Sequence, residues 1–178
     1  MNQKKKDIER MNQMLLKSDI NYSITSLNLD EFSNNIKKLN SQNENVTKNQ
    51  MSNMANIHKS FLAAKTHCED LIYFVEDDYL HKLSSFSEMI LSYERISSQM
   101  NRELILCPAD YPYLYTKVDP TNIFLGANLH WRKVDETLCT FLTSKILLEE
   151  YWNKFTSMCK FEHYPFEQPL HDIYQSEY

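Results

Sequence analysis

Glycine is almost missing from this chain: one residue in 178, at position 126. A P-loop or a comparable phosphate-cradling loop needs several glycines close together, so that class of motif is absent. The four cysteines, Cys68, Cys107, Cys139 and Cys159, contain no CxxC pair, which argues against zinc fingers and ribbons. The charged start MNQKKKD is followed by no apolar leader segment, so a disulfide framework is not expected either. No apolar run approaches the roughly 20 residues of a membrane span. Basic residues do not dominate: 19 Lys and Arg stand against 24 Asp and Glu, for a net charge of −5. The chain therefore lacks the overall electrostatic footprint of a nucleic-acid binder. With only five prolines, the low-complexity and fibrous classes drop out as well. These absences leave a globular chain, expected to form a single domain over residues 1–178 in the cytoplasm, with no nucleic acid partner and no membrane span.

What is present sits mainly in the second two-thirds. The chain is 42% hydrophobic, and most of its eleven Tyr and nine Phe follow residue 60. Ile8, Met11, Met14 and Leu15 place an apolar stripe on a helix over 5–17. The alternating run Tyr22–Leu27 reads as a short strand. Ser33 can cap a short helix carrying Ile36 and Leu39. Met54, Ile57, Phe61 and Ala64 mark a second helix, over 51–65. Asp70–Val75 is a continuous apolar run of strand length, the pattern of a strand buried on both faces. Phe86, Met89, Ile90, Tyr93 and Ile96 form one face of a helix over 84–99. A second buried strand, Glu103–Cys107, stops at Pro108. Thr121–Leu125 and Leu129–Val134 flank Gly126-Ala127-Asn128 as a hairpin. Thr137–Thr143 is a further strand, and residues 144–158 a helix. Helices alternating with short apolar strands are the signature of βαβ units. The expected architecture is therefore a three-layer α/β/α fold with a mixed, mostly parallel central sheet. That sheet would contain Leu71–Val75, Leu104–Cys107 and Leu138–Leu142, with an antiparallel portion towards the C-terminus.

In such sheets, ligands bind beyond the carboxyl ends of the strands. One strand end carries a dense polar cluster, Glu76-Asp77-Asp78. Three consecutive carboxylates repel one another unless a divalent cation sits among them, and oxygen-only ligands suit Mg2+ or Mn2+. The same cluster would serve equally as a solvated acidic turn leading into the helix at residue 84. His130-Trp131-Arg132 could hold a diphosphate or a sugar, because Arg forks phosphate and Trp stacks on a pyranose. It could also be a hairpin with one buried aromatic. The tyrosines of 111–115 could line an acceptor cleft or pack their own loop.

The order of NQMSNMANIHKSFLAAK, then EDLIYFVEDDYLH, then a helix, resembles the middle of a family 2 glycosyltransferase of the GT-A fold. In that family an Asn- and Ala-rich helix precedes an apolar strand ending in a D-x-D-like acidic triplet. The resemblance puts Glu76 and Asp78 at the two metal-binding positions and brings Asp77 to the donor. The segment YSITSLNLDEFS is similar to the family's second strand and its acidic turn, with Asp30 as the donor-binding carboxylate. HWRKVDETLCTFLTSKILLEEYW resembles the acceptor-side hairpin and the strand–helix unit behind it, implying that His130 and Arg132 face the donor. Glu167, in FEQPLHDIY, falls where the family carries its catalytic acidic residue. The resemblance spans roughly residues 8–175, although the family's first apolar strand has no counterpart here.

The implied function is metal-dependent transfer of a sugar from a UDP- or GDP-sugar donor to the hydroxyl of a glycan or lipid-linked acceptor. Mn2+ or Mg2+ would be the cofactor and Glu167 the catalytic base. The alternative is a GT-A-like module, or a fragment, that binds without turnover. A terminal carboxylate reading is also open at Glu167, since a carboxylate in the first turn of a helix gains from the helix dipole.

Overall fold

The computed structural model describes residues 3–32, 42, 44–76, 78–109, 111–116, 120–135, 137 and 139–176. The helix expected around Ile36 and Leu39 lies outside the described residues. The chain opens with α1 (Gln3–Leu15) and a single helical turn, α2 (Leu29–Phe32). Between them residues 22–27 form no strand, and the side chains of 22–26 are exposed. Alternation makes a strand only where a sheet covers its apolar side, and among the described residues none pairs with this segment.

The helix α3 (Lys48–His67) starts on a capping box, in which Thr47 Oγ1 accepts from the Gln50 N–H and the Gln50 side chain accepts from the Thr47 N–H. This arrangement satisfies two N–H groups that a helix start otherwise leaves unpaired. β1 (Leu71–Phe74) follows, then α4 (Ser85–Met100), which ends on Asn101 in the left-handed conformation. Asparagine is one of the few residues that tolerates that conformation at a helix end. After β2 (Ile105–Leu106) comes a 3-10 turn at Pro112–Tyr115. The hairpin β3 (Ile123–Leu125) and β4 (His130–Arg132) forms as the turn chemistry predicts. β5 (Phe141–Ser144) runs directly into α5 (Lys145–Glu150), because Ser144 is both the last strand residue and the cap, accepting from the Leu147 N–H. The single helix expected over 144–158 is interrupted at Tyr151, which leaves helical geometry, so α6 (Trp152–Met158) is a separate piece. The last helix is α7 (Gln168–Ser176).

The chain is thus mixed α/β, and the arrangement of its sheet departs from a mostly parallel one. The three-stranded sheet has the order β1-β5-β2, and both pairings are antiparallel. β1 and β2 do run in the same direction, joined through α4 as the alternation implied. However, the strand between them arrives from much later in the chain and runs the opposite way. Leu138, expected within that strand, lies outside the described residues.

Helices cover both faces of this sheet. On one side, Phe61 of α3, Phe74 of β1, Phe141 of β5 and Phe155 of α6 pack ring against ring, with centroids 5.0–6.0 Å apart. Leu170 and Ile173 of α7 close this core. On the other side, Met89, Tyr93 and Ile96 of α4 meet Leu104, Leu106 and Leu142, with Phe124 and Trp131 of the hairpin beside them. Adjacent residues Phe141 and Leu142 therefore serve opposite cores, as strand alternation requires. No described helix is long and apolar enough to cross a membrane.

Candidate functional site at the carboxyl ends of the parallel strands

Because β1 and β2 point the same way, their carboxyl ends share one edge of the sheet. The residues that follow them, Glu76 and Cys107, meet there with the segment that leads into β5. Glu76 and Asp78 are exposed, and Asp77 lies outside the described residues. A donor set made only of carboxylate oxygens at an exposed strand end suits a hard ion that keeps several of its waters. Glu76 and Asp78 are the described carboxylates there that could take part in holding such an ion. Among the described residues, no three His, Cys, Asp or Glu side chains group tightly enough to form a closed metal cage.

The loop beyond Asp78 is pinned by aromatic contacts. The Tyr79 and Tyr111 hydroxyls share a short hydrogen bond, and Tyr111 stacks on Tyr113. His81 Nε2 lies 2.7 Å from the Tyr73 hydroxyl, and its ring stacks on Phe86 at 5.3 Å. Burial, with the Tyr79 hydrogen bond adding to it, pushes the Tyr111 phenol well above its ordinary range.

Cys139 stands at the centre of the edge, with φ +60°, a conformation that a non-glycine residue rarely adopts. Its thiol donates to Glu167 Oε1 at 3.0 Å. Burial, then the nearby charge of Glu167 and its hydrogen bond, and the charge of Glu76 hold this thiol protonated, far above its usual range. Cys139 is therefore a hydrogen-bond donor rather than a nucleophile. The Cys139–Glu167 contact brings the residue before α7 to the segment that enters β5. Glu167 is buried, and His171 Nε2 lies 4.0 Å from its second oxygen. One helical turn on, the Tyr174 hydroxyl pairs with Thr137 Oγ1 at 2.8 Å. Burial holds that phenol high, the Thr137 bond works the other way, and the Glu167 charge adds to the rise.

Thr137, Tyr174 and Cys107 also line the end of a cavity of about 710 Å³ that opens between α4, β2 and the hairpin. That volume falls in the range of small-molecule sites. His130 and Arg132 line it too, His130 exposed and Arg132 with its guanidinium 4.5 Å above the Tyr115 ring. The structure thus sorts most of the expected residues into two groups: Glu76 and Asp78, exposed after β1, with Glu167 on Cys139 at the same end of the sheet, and His130 and Arg132 on the cavity wall. Asp30 belongs to neither group. It is exposed at the start of α2, where its N–H donates to Asn28 Oδ1 at 3.2 Å.

Glu88 is a further residue of this region, outside the set expected from the sequence. This carboxylate is buried in α4 and accepts from the N–H groups of Asn128 and Leu129, the Asn128 side-chain amide and the Ser92 hydroxyl. Burial alone would raise its pKa, but the bonds from Ser92, Asn128 and Leu129 outweigh it and bring the group down to about 2. Ser92 Oγ in turn accepts from the Trp131 indole at 3.0 Å and from the Ala127 N–H at 2.9 Å. The Trp131 N–H is thus committed to α4, which is the buried-aromatic role for this residue. The lone glycine is explained at the same spot, since a methyl group at Gly126 would overlap Ser92 Oγ and the Trp131 indole. The available signal was Glu88, Ser92 and Arg95, a polar stripe at helical spacing beside an apolar one. Arg95 completes it by donating to the Gly126 carbonyl at 2.9 Å.

Compared with protein-family models, curated proteins and solved structures, the chain matches none.

Proposed function

We propose that the chain transfers a sugar from a nucleotide-diphosphate donor to an acceptor hydroxyl, with a GT-A-like arrangement of its sheet edge. The observation that supports this reading most is the contact of buried Glu167 with Cys139, in the segment that enters β5 at the carboxyl ends of β1 and β2, the edge at which Glu76 follows β1. In this reading Glu76 and Asp78 would hold a Mn2+ or Mg2+ ion, which would supply neutralisation of the leaving diphosphate. Glu167, held in place by the Cys139 thiol, takes the proton from the attacking hydroxyl. Arg132 offers a forked contact to phosphate from the cavity wall.

The test is thermal unfolding with UDP, GDP or ADP, each with and without Mn2+. Ligand at 100 times its dissociation constant stabilises the native state by about 2.7 kcal/mol, which is roughly 5–10 °C for a domain of this size. A metal-dependent rise with one nucleotide is the expected result, and no response to any of them overturns the reading. One observation favours a second reading, a module that binds without turnover: both pairings of the central sheet are antiparallel, unlike the mostly parallel sheet the transferase family implies. That reading predicts nucleotide or sugar binding with no metal dependence.

A further inference from the structure

The side of the sheet opposite α4 carries a second, smaller cavity, of about 250 Å³, between α3 and α6. Its wall is made of rings and sulfur: Phe32, His58 and Trp152, with Met54 and the Cys159 thiol. Phe32 meets the His58 ring edge-on at 5.3 Å, and the Lys65 ammonium lies 4.2 Å from the centre of the Trp152 ring. Lys160, exposed just past α6, brings a positive charge to the wall. Among the described residues the lining contains no carboxylate. Burial holds the Cys159 thiol up at about 12 against the pull of Lys160, so no thiolate answers that charge at neutral pH. His58 stays neutral there too, its pKa lowered by burial and then by Lys160. Its Nδ1 is shut off from solvent and has no hydrogen-bond partner among the described residues.

A volume of about 250 Å³ exceeds the roughly 150 Å³ that takes up a benzene ring and falls short of the roughly 300 Å³ at which drug-sized sites begin. It suits one ring with a short substituent. Ring edges and soft sulfur favour an aromatic ring. An ammonium in a wall without an anion favours a negative substituent, because a charge-assisted hydrogen bond is about twice as strong as a neutral one. With no guanidinium in the wall to fork a phosphate, a singly charged carboxylate is the better match. We propose that this cavity binds a small aromatic carboxylate, its ring against Phe32 and Trp152 and its charge on Lys160. The His58 imidazole, turned about its broad terminal torsion, offers the carboxylate a neutral N–H from Nδ1. The site shares no residue with the sheet edge or with the larger cavity, so its test is independent of the transferase reading.

The test is calorimetric titration of the full chain with phenylacetate, phenylacetamide and acetate. Phenylacetate is expected to bind with a dissociation constant below about 1 mM. The amide keeps the shape without the charge and acetate keeps the charge without the ring, and each is expected to bind at least about tenfold more weakly. Lys160→Met should bring phenylacetate down to the level of the amide while leaving the amide unchanged. Should that variant fail to fold, the indole N–H signals of the unaltered protein decide: Trp152 is expected to shift on titration and Trp131 to stay in place. Parity of the amide with the acid, unaltered binding in Lys160→Met, a shift confined to Trp131, or no heat at all overturns the proposal. So does tighter binding of phenyl phosphate, which identifies a phosphate site instead. A metal-dependent nucleotide response without phenylacetate binding removes this site and leaves the transferase reading in place, and the reverse pair of results does the opposite.

Discussion

Two glutamates in this molecule are buried to the same degree, each with about 5% of its surface exposed, and they are held in opposite ways. Glu88 sits where α4 meets the hairpin and collects N–H and O–H donors from the hairpin turn and from Ser92. Every donor on it is strong, and the charged form is favoured so firmly that its pKa falls to about 2. Glu167 sits before α7 with a thiol as its hydrogen-bond donor and an imidazole 4.0 Å away. A thiol is a weak donor. Burial therefore does not by itself say what a carboxylate is for. A carboxylate surrounded by backbone N–H groups is a joint in the scaffold. One met by a thiol lacks that set of N–H donors and is not fastened to a neighbouring turn.

Glu88→Ala leaves the Asn128 and Leu129 N–H groups without their acceptor and is expected to cost about 3 kcal/mol in urea unfolding. A loss under 1 kcal/mol would show that water entering the adjacent cavity replaces the carboxylate. The acid limb sharpens the same point. Because the folded-state pKa of Glu88 is depressed from 4.5 to about 2, its contribution is complete above pH 4.5 and disappears as pH falls towards 2. The stability difference between the native chain and Glu88→Gln should shrink across that window and stay constant above it.

Gly126→Ala acts on the partner surface. The added methyl overlaps Ser92 and Trp131, and such overpacking costs about 2 kcal/mol, with a blue- or red-shifted Trp131 emission as a second readout. Glu167→Gln keeps the shape and is expected to cost about 1 kcal/mol. In the proposed transferase it should also lower turnover by roughly 10²–10⁴-fold, so a variant with full turnover assigns Glu167 to the scaffold alongside Glu88. Asp78→Asn is the mildest change for stability, within about 0.5 kcal/mol at an exposed position. Its expected effect is the loss of any Mn2+-dependent rise in melting temperature.

What was legible in the sequence follows from how local each signal is. The helices α3 and α4, the runs that became β1 and β2, and the hairpin around Gly126 each carry their pattern within 20 residues or fewer. The common direction of β1 and β2 was legible too, because one helix separates them. The partner of both strands was not. β5 pairs with β1 across about 70 residues, and an apolar run carries no mark of which strand it will adjoin. The face of α4 was half legible. Met89, Tyr93 and Ile96 are buried as their spacing implies, yet Phe86 and Ile90 are exposed and Glu88 and Ser92 lie inside. An apolar stripe cannot reveal that a turn 40 residues away supplies donors to a neighbouring carboxylate. At the site itself, the acidic strand end stood out locally, while the Cys139–Glu167 contact joins residues 28 apart in the chain and had no local trace.

The central place of β5 has a consequence for synthesis. Both faces of its ladder belong to strands made earlier, so β1 and β2 leave the ribosome as two short apolar edges with nothing between them. Residues 107–144 must be added before the gap can close, which at 5–20 residues per second takes roughly 2–8 s. During that interval the nascent chain exposes two unpaired edges, each a template for a foreign strand. Newly made chains should therefore depend on chaperone binding until Ser144 clears the exit tunnel, and become independent of it once the last strand zips the other two together.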